Sequence, residues 1–115
     1  MIDQSINQTF AEAADFFRTH LHSKVRTFTV QVDGKDIGGV LVIDGELTAL
    51  RVDEGYRKLG IATALINMVK ANYDSLTLIC ATNLIKFYQR HDFIVTGPYE
   101  PNGHCMKWNR SYESY

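Results

Sequence analysis

Only two cysteines and two prolines occur among the 115 residues. Cys80 and Cys105 are too few for a disulfide scaffold, and neither lies in a CxxC or Cys/His metal spacing. A disulfide-held or metal-held fold is thereby excluded, and a reducing, cytoplasmic location is the expectation. An excess of charge is missing as well. Twelve Lys and Arg face 13 Asp and Glu, a formal net charge of −1, and the pI is about 6.4. That removes the electrostatic basis for binding nucleic acid or an anionic membrane. No apolar run is long enough to span a bilayer, because charge or threonine interrupts each one. The first residues, MIDQSINQTF, carry an acid where a signal peptide needs a basic region, and no long apolar core follows. Low-complexity tracts and solenoid-period repeats are also absent.

What remains is a globular composition, 45% hydrophobic and 22% charged. The length suits one domain, so residues 1–115 are read as a single unit with a frayed tail over 110–115. Thr9 and Glu12 form a capping-box pattern that predicts a helix over Phe10–His22, with Phe10, Ala14, Phe17 and Leu21 as its apolar stripe. The period then falls to two. Strands are predicted over Val25–Val32, Ile37–Ile43 and Glu46–Asp53, joined by turns at Asp33-Gly34-Lys35 and Asp44-Gly45. A charged, glycine-bearing loop over 54–60 opens into a helix predicted for Ile61–Asn72. Ser75–Cys80 reads as a strand buried on both faces, Asn83–His91 as a short helix, and Phe93–Thr96 and His104–Trp108 as strands either side of a Pro98–Gly103 loop. The strand–helix–strand unit from Glu46 to Cys80 calls for a parallel pairing inside an otherwise antiparallel sheet.

The segment Arg57-Lys58-Leu59-Gly60-Ile61-Ala62 carries the most chemistry. A strand leads through a glycine turn into a helix, so free N–H groups and the positive dipole end face an incoming anion. Gly60 and Ala62 admit close approach, while Arg57 and Lys58 add charge at the rim. The plain alternative is a glycine-initiated amphipathic helix with solvated charges. Gly55 and Gly60 have P-loop spacing, but Ile61 and Ala62 stand where Lys and Ser/Thr are required, and no GxGxxG exists. Neither a nucleotide hydrolase nor a dinucleotide enzyme is supported.

The run Val52-Asp53-Glu54-Gly55-Tyr56-Arg57-Lys58-Leu59-Gly60-Ile61-Ala62, followed by Leu65-Ile66, resembles motif A of the GNAT superfamily of acyl-CoA-dependent N-acetyltransferases, V-x-P-x-[YF]-[RQ]-x-x-G-x-[GA]. Phe87-Tyr88-Gln89-Arg90-His91-Asp92-Phe93 resembles the second signature of that family, F-Y-x-x-x-G-F. The likeness runs from Val25 to Trp108. Glu54 replaces the usual Pro, and Lys58 and Asp92 replace usual glycines. Ala81 stands where many members have the Asn that contacts the cofactor arm, with Asn83 the nearest candidate. Leu84-Ile85-Lys86-Phe87-Tyr88 and Met106-Lys107-Trp108 resemble very short GNAT-like chains of mobile elements, some of which look like protein-lysine acetyltransferases.

The resemblance implies an α+β fold: a mixed, mostly antiparallel sheet flanked by helices, with the central strand–helix–strand unit binding CoA. It implies acetyl-CoA as co-substrate, no metal, and direct acetyl transfer to a primary amine, either a protein lysine or a small molecule. Arg57, Lys58, Leu59, Gly60, Ile61 and Ala62 take the pyrophosphate; main-chain N–H groups of Leu50 and Val52, and Asn83, take the pantetheine arm. Tyr88 matches the general acid that reprotonates the thiolate, and Glu46, six residues before Val52, matches the general base. Read from the residues alone, Tyr88 equally packs a short helix and Glu46 equally ends an Asp-Gly turn. The chain looks short at its N-terminus for this family, implying an open acceptor side or one completed by a partner subunit in a homodimer. The competing reading is a non-catalytic module of the same fold that binds CoA or a protein.

Overall fold

The computed structural model describes residues 24–99 and 101–113, together with Glu12, Asp15 and Thr19. Those three are helical and exposed; the rest of the helix expected over Phe10–His22 lies outside the described residues. Six strands form one sheet: β1 (Val25–Val32), β2 (Lys35–Ile43), β3 (Glu46–Val52), β4 (Ser75–Ala81), β5 (Ile94–Tyr99) and β6 (Gly103–Asn109). Their order is β1-β2-β3-β4-β6-β5. Among the described residues from 24 onward, two helices, α1 (Ile61–Lys70) and α2 (Ile85–Gln89), accompany the sheet in an α+β fold, with short 3-10 turns at Glu54–Tyr56, Thr82–Leu84 and Arg110–Glu113.

The first three strands follow from their turns. Asp33 and Asp44 both adopt φ of 51° and each precedes a glycine that is also left-handed. Two successive positive φ values define the I′ hairpin, whose twist matches that of the strands it joins. β1, β2 and β3 consequently pair antiparallel, and β2 is buried from Asp36 to Val42.

α1 lies over β1–β3 and buries Leu65, Ile66 and Val69. Gly38 makes the close approach possible, since a Cβ there would sit 2.9 Å from the Ile61 side chain. The core continues across Phe28, Val40, Val42, Leu47, Leu76, Leu78, Phe93, Met106 and Trp108. Full burial of such a side chain is worth about 1.5–3 kcal/mol, so this one face supplies most of the driving force.

Three expectations are corrected. β4 is not buried on both faces: exposure alternates along Ser75–Ala81, and Ile79 is 42% exposed. Its opposite face points away from the core, so a six-residue apolar run reads in space as a period of two. Pro98 belongs to β5 rather than to a loop, tolerated because β5 ends the sheet order and its free edge needs no donor. The tail over 110–113 is not frayed. Arg110 donates to the carbonyls of Lys70 (2.7 Å) and Tyr73 (2.6 Å) and approaches Asp74. A cation thus caps the carbonyl end of α1 while Tyr112 packs against the core. The last two residues, 114 and 115, lie outside the described set. Among the described residues no helix is long and apolar enough to cross a membrane.

Candidate active site

β3 and β4 run parallel but share only two register pairs, Glu46 with Thr77 and Leu47 with Leu78. Beyond them the strands diverge, so the flank of β3 from Thr48 to Val52 has no strand beside it. This fork opens toward the C-terminal ends of both strands.

A β-bulge re-aims β3 as it enters the fork. The pairing with β2 passes from Leu41–Ala49 to Val42–Leu47, which leaves Thr48 as the extra residue. Alternation therefore resets: Leu47 before the bulge, and Leu50 and Val52 after it, all pack against the same core. Glu46, adjacent to Leu47, faces the other side of the sheet.

After Val52 the chain turns through Asp53–Tyr56 and reaches α1 by way of two left-handed residues, Lys58 (φ 65°) and Gly60 (φ 81°). Gly60 is the N-cap, and no side chain caps the helix or places an acid in its first turn. The first intrahelical bond is donated by Ala64 to Gly60, so the N–H groups of Ile61, Ala62 and Thr63 have no partner within the helix. Arg57 is held at the rim by a bond from its Nε to the Val52 carbonyl (3.1 Å). An uncapped helix start flanked by Arg57 and Lys58 suits an anion.

α2 forms the opposite wall. Leu84, Phe87 and Tyr88 face Leu50, Val52 and the 57–63 segment across a cleft of about 760 Å³. Tyr88 is buried edge-on against Phe87 and Phe93. Burial first, and the neighbouring Cys80 second, push its phenol up to about 12. Such a group stays protonated throughout the neutral range and donates a hydrogen bond. Burial likewise raises the Cys80 thiol. Asp92, where the signature has glycine, is left-handed at φ 69°, as Lys58 is at its own glycine position. The backbone of both glycine sites is therefore retained without the glycine.

The cleft brings together Leu50, Val52, Arg57, Lys58, Gly60, Ile61, Ala62 and Tyr88. It does not include Leu59, which is 66% exposed, nor Asn83, exposed in the 3-10 turn before α2. Glu46 is half-buried at the closed end of the fork. Leu50 lies four residues further along the strand, about 13 Å of chain. Thr63, Leu84 and Phe87 line the cleft and were missed as site residues; the signal available was the helical spacing that puts Leu84, Phe87 and Tyr88 on one flank. Among the described residues no group of three or more His, Cys, Asp and Glu converges as a metal site would.

A protein-family model for the acetyltransferase (GNAT) domain matches residues 23–95. No curated protein matches the chain. Ard1 from Thermoplasma volcanium superposes with a TM-score of 0.62 at 21% identity, covering 86% of this chain and 78% of that one. The PaiA N-acetyltransferase of Thermoplasma acidophilum, solved with coenzyme A, gives 0.67 at 16% identity over 90% of this chain and 70% of that one. The ribosomal-protein-S18-alanine N-acetyltransferase of Escherichia coli gives 0.59 at 19% identity, covering 74% and 68%. These likenesses are of fold, and the family model spans well over half of the sequence. The chain belongs to the GNAT acetyltransferase family.

Proposed function

We propose that this protein transfers an acetyl group from acetyl-CoA directly to a primary amine, of a protein lysine or of a small molecule. The observation that carries the reading is the uncapped start of α1 at Gly60, opening onto a cleft whose far wall holds a buried phenol. The free N–H groups of Ile61, Ala62 and Thr63, with Arg57 and Lys58, hold the pyrophosphate. The open flank of β3 at Leu50 and Val52 offers main-chain groups to the pantetheine arm, and Leu84 and Phe87 exclude water from it. Asn83, exposed in the 3-10 turn next to the lining residue Leu84, is the side chain proposed for the arm, and Leu59 lies between Lys58 and Gly60 of the pyrophosphate cradle.

In the reaction the amine nitrogen forms a bond to the thioester carbon, the C–S bond breaks, and the amine loses a proton. With its phenol near 12, Tyr88 donates a hydrogen bond to the departing sulfur, and solvent completes the protonation. Glu46, on the face opposite Leu50 and Val52, accepts the amine proton through water as the acceptor arrives from that face. A partner subunit in a homodimer would complete the acceptor side, and a cytoplasmic location suits the co-substrate.

Acetyl-CoA is expected to raise the melting temperature, because a ligand that binds only the folded state stabilises it by mass action. Gly60→Glu puts bulk and negative charge at the helix start and abolishes that rise. A folded Gly60→Glu protein with unchanged acetyl-CoA affinity would overturn the assignment. Thiol release from acetyl-CoA across a panel of amines separates a transferase from a binding module.

A further inference from the structure

The phenol of Tyr88 owes its place to the turn that ends α2. The N–H groups of Asp92 and Phe93 bond back to the carbonyls of Gln89 (3.1 Å) and Tyr88 (3.1 Å), and Asp92 is left-handed at φ 69°. This is the Schellman pattern of helix termination, whose left-handed position usually holds glycine. Phe93 follows that position, and its ring meets the Tyr88 ring edge-on at 5.6 Å. Backbone and ring contacts of one turn therefore both bear on Tyr88.

A buried cation grips the same turn from the other helix. Lys70 is the last residue of α1, and its side chain is only 9% exposed. Its Nζ donates to the His91 carbonyl and lies 3.8 Å from the Asp92 carboxylate. Nζ also stands 5.9 Å from the centre of the Phe93 ring and 5.2 Å from that of Trp108. An ammonium out of water is costly unless such partners compensate it, so this one is committed to the turn. The backbone behind it is fixed as well, since Arg110 donates to the Lys70 carbonyl at 2.7 Å. Lys70, Asp92 and Phe93 do not line the cleft, whereas Tyr88 does. Any effect of these residues on the chemistry must pass through Tyr88.

Resting on the reading that Tyr88 assists the departing sulfur, we infer that Lys70 and Asp92 are positioning residues for its hydroxyl. Their ion pair, with the bond to the His91 carbonyl, holds a left-handed turn that glycine would hold by its own preference. α1 thereby serves both walls of the cleft. Its first turn cradles the pyrophosphate, and its last residue, about 14 Å further along the helix, sets the phenol. One rigid element fixes the span between the two.

The test places Lys70→Met and Asp92→Asn in the wild-type chain and in Tyr88→Phe. Fluorine NMR of fluorotyrosine-labelled protein needs no acceptor, and the resonance missing from Tyr88→Phe belongs to Tyr88. Both substitutions should shift and broaden that resonance while those of Tyr56 and Tyr99 stay in place. Turnover is then followed as thiol release from acetyl-CoA, with poly-L-lysine and a small alkylamine as acceptors. Lys70→Met should lower kcat about tenfold and Asp92→Asn about threefold, with KM for acetyl-CoA unchanged, because a displaced catalytic group loses rate rather than binding. In Tyr88→Phe neither substitution should lower kcat further. Asp92 is exposed, so Asp92→Asn carries the comparison if Lys70→Met does not fold. An unmoved Tyr88 resonance, or equal losses of kcat in the two backgrounds, would overturn the positioning role. So would wild-type kcat in both variants while Tyr88→Phe is slow. Wild-type kcat in Tyr88→Phe itself would overturn the reading of Tyr88, and the positioning role with it.

Discussion

Among the described residues positive φ occurs in two regions, to different ends. In the β1–β3 meander it falls on Asp33-Gly34 and Asp44-Gly45, residue pairs that adopt the left-handed region readily and build I′ turns. Around the cleft it falls on Lys58 and Asp92, each at a position where glycine is the usual solution. Asp tolerates that conformation; Lys carries no local hydrogen bond to offset it, at a cost of about 1 kcal/mol. The meander therefore obeys its local sequence, whereas the cleft is held by its surroundings. Strain at Lys58 places a second cation beside Arg57 at the helix start, which a glycine at that position would not supply.

The largest test of that contrast is Tyr88→Phe, which keeps the ring packing and removes the hydroxyl. If the cleft is built for chemistry, kcat should fall by roughly 10²–10⁴ with little change in acetyl-CoA affinity. Wild-type kinetics should show no limb from Tyr88 below about pH 11, because its phenol lies near 12. The same shift fixes a stability window. The folded value lies above the unfolded value near 10, so the contribution is complete below pH 10 and is lost as pH rises through 12. Alkaline unfolding curves of wild type should thus be steeper between those limits than those of Tyr88→Phe. Unaltered turnover in the variant would return Tyr88 to core packing.

Glu46→Gln should have a smaller effect, about tenfold in kcat, with the acid limb of the pH–rate profile displaced toward higher pH; an unmoved profile assigns the proton to water alone. Arg110→Ala probes the ordered tail. Losing its bonds to the Lys70 and Tyr73 carbonyls should cost about 1 kcal/mol by urea denaturation, because the side chain is half-exposed. Lys58→Gly is the smallest and the sharpest. It should stabilise the protein by about 0.5–1 kcal/mol while weakening acetyl-CoA binding, and a loss of stability would mean that Lys58 is not strained.

The meander was legible because Asp-Gly pairs specify their turns within four residues. The start of α1 at Ile61 was legible from Gly60, and the cleft lining from Leu50 to Ala62 followed from one contiguous motif. What escaped the sequence depends on distant partners. Nothing local separates Ser75-Leu-Thr-Leu-Ile-Cys80 buried on two faces from the same run buried on one. The bulge at Thr48, which sends Glu46 to the other face, shows only in the register against β2. Order in the tail comes from Arg110 reaching carbonyls 37 and 40 residues earlier. Thr63 joined the site only when α2 was laid against α1.

The fork between β3 and β4 also has a kinetic consequence. Each hairpin of the meander closes over a two-residue turn, an event on the order of microseconds. The pairs that join the two halves of the sheet, Glu46–Thr77 and Leu47–Leu78, each span 31 residues and yield only two rungs of parallel ladder. Closing so long a loop for so little pairing delays the union until the core side chains of α1 have packed. A molecule lodged in the fork thus acts after the rate-limiting step of folding. Saturating acetyl-CoA should slow unfolding and leave the refolding rate almost untouched.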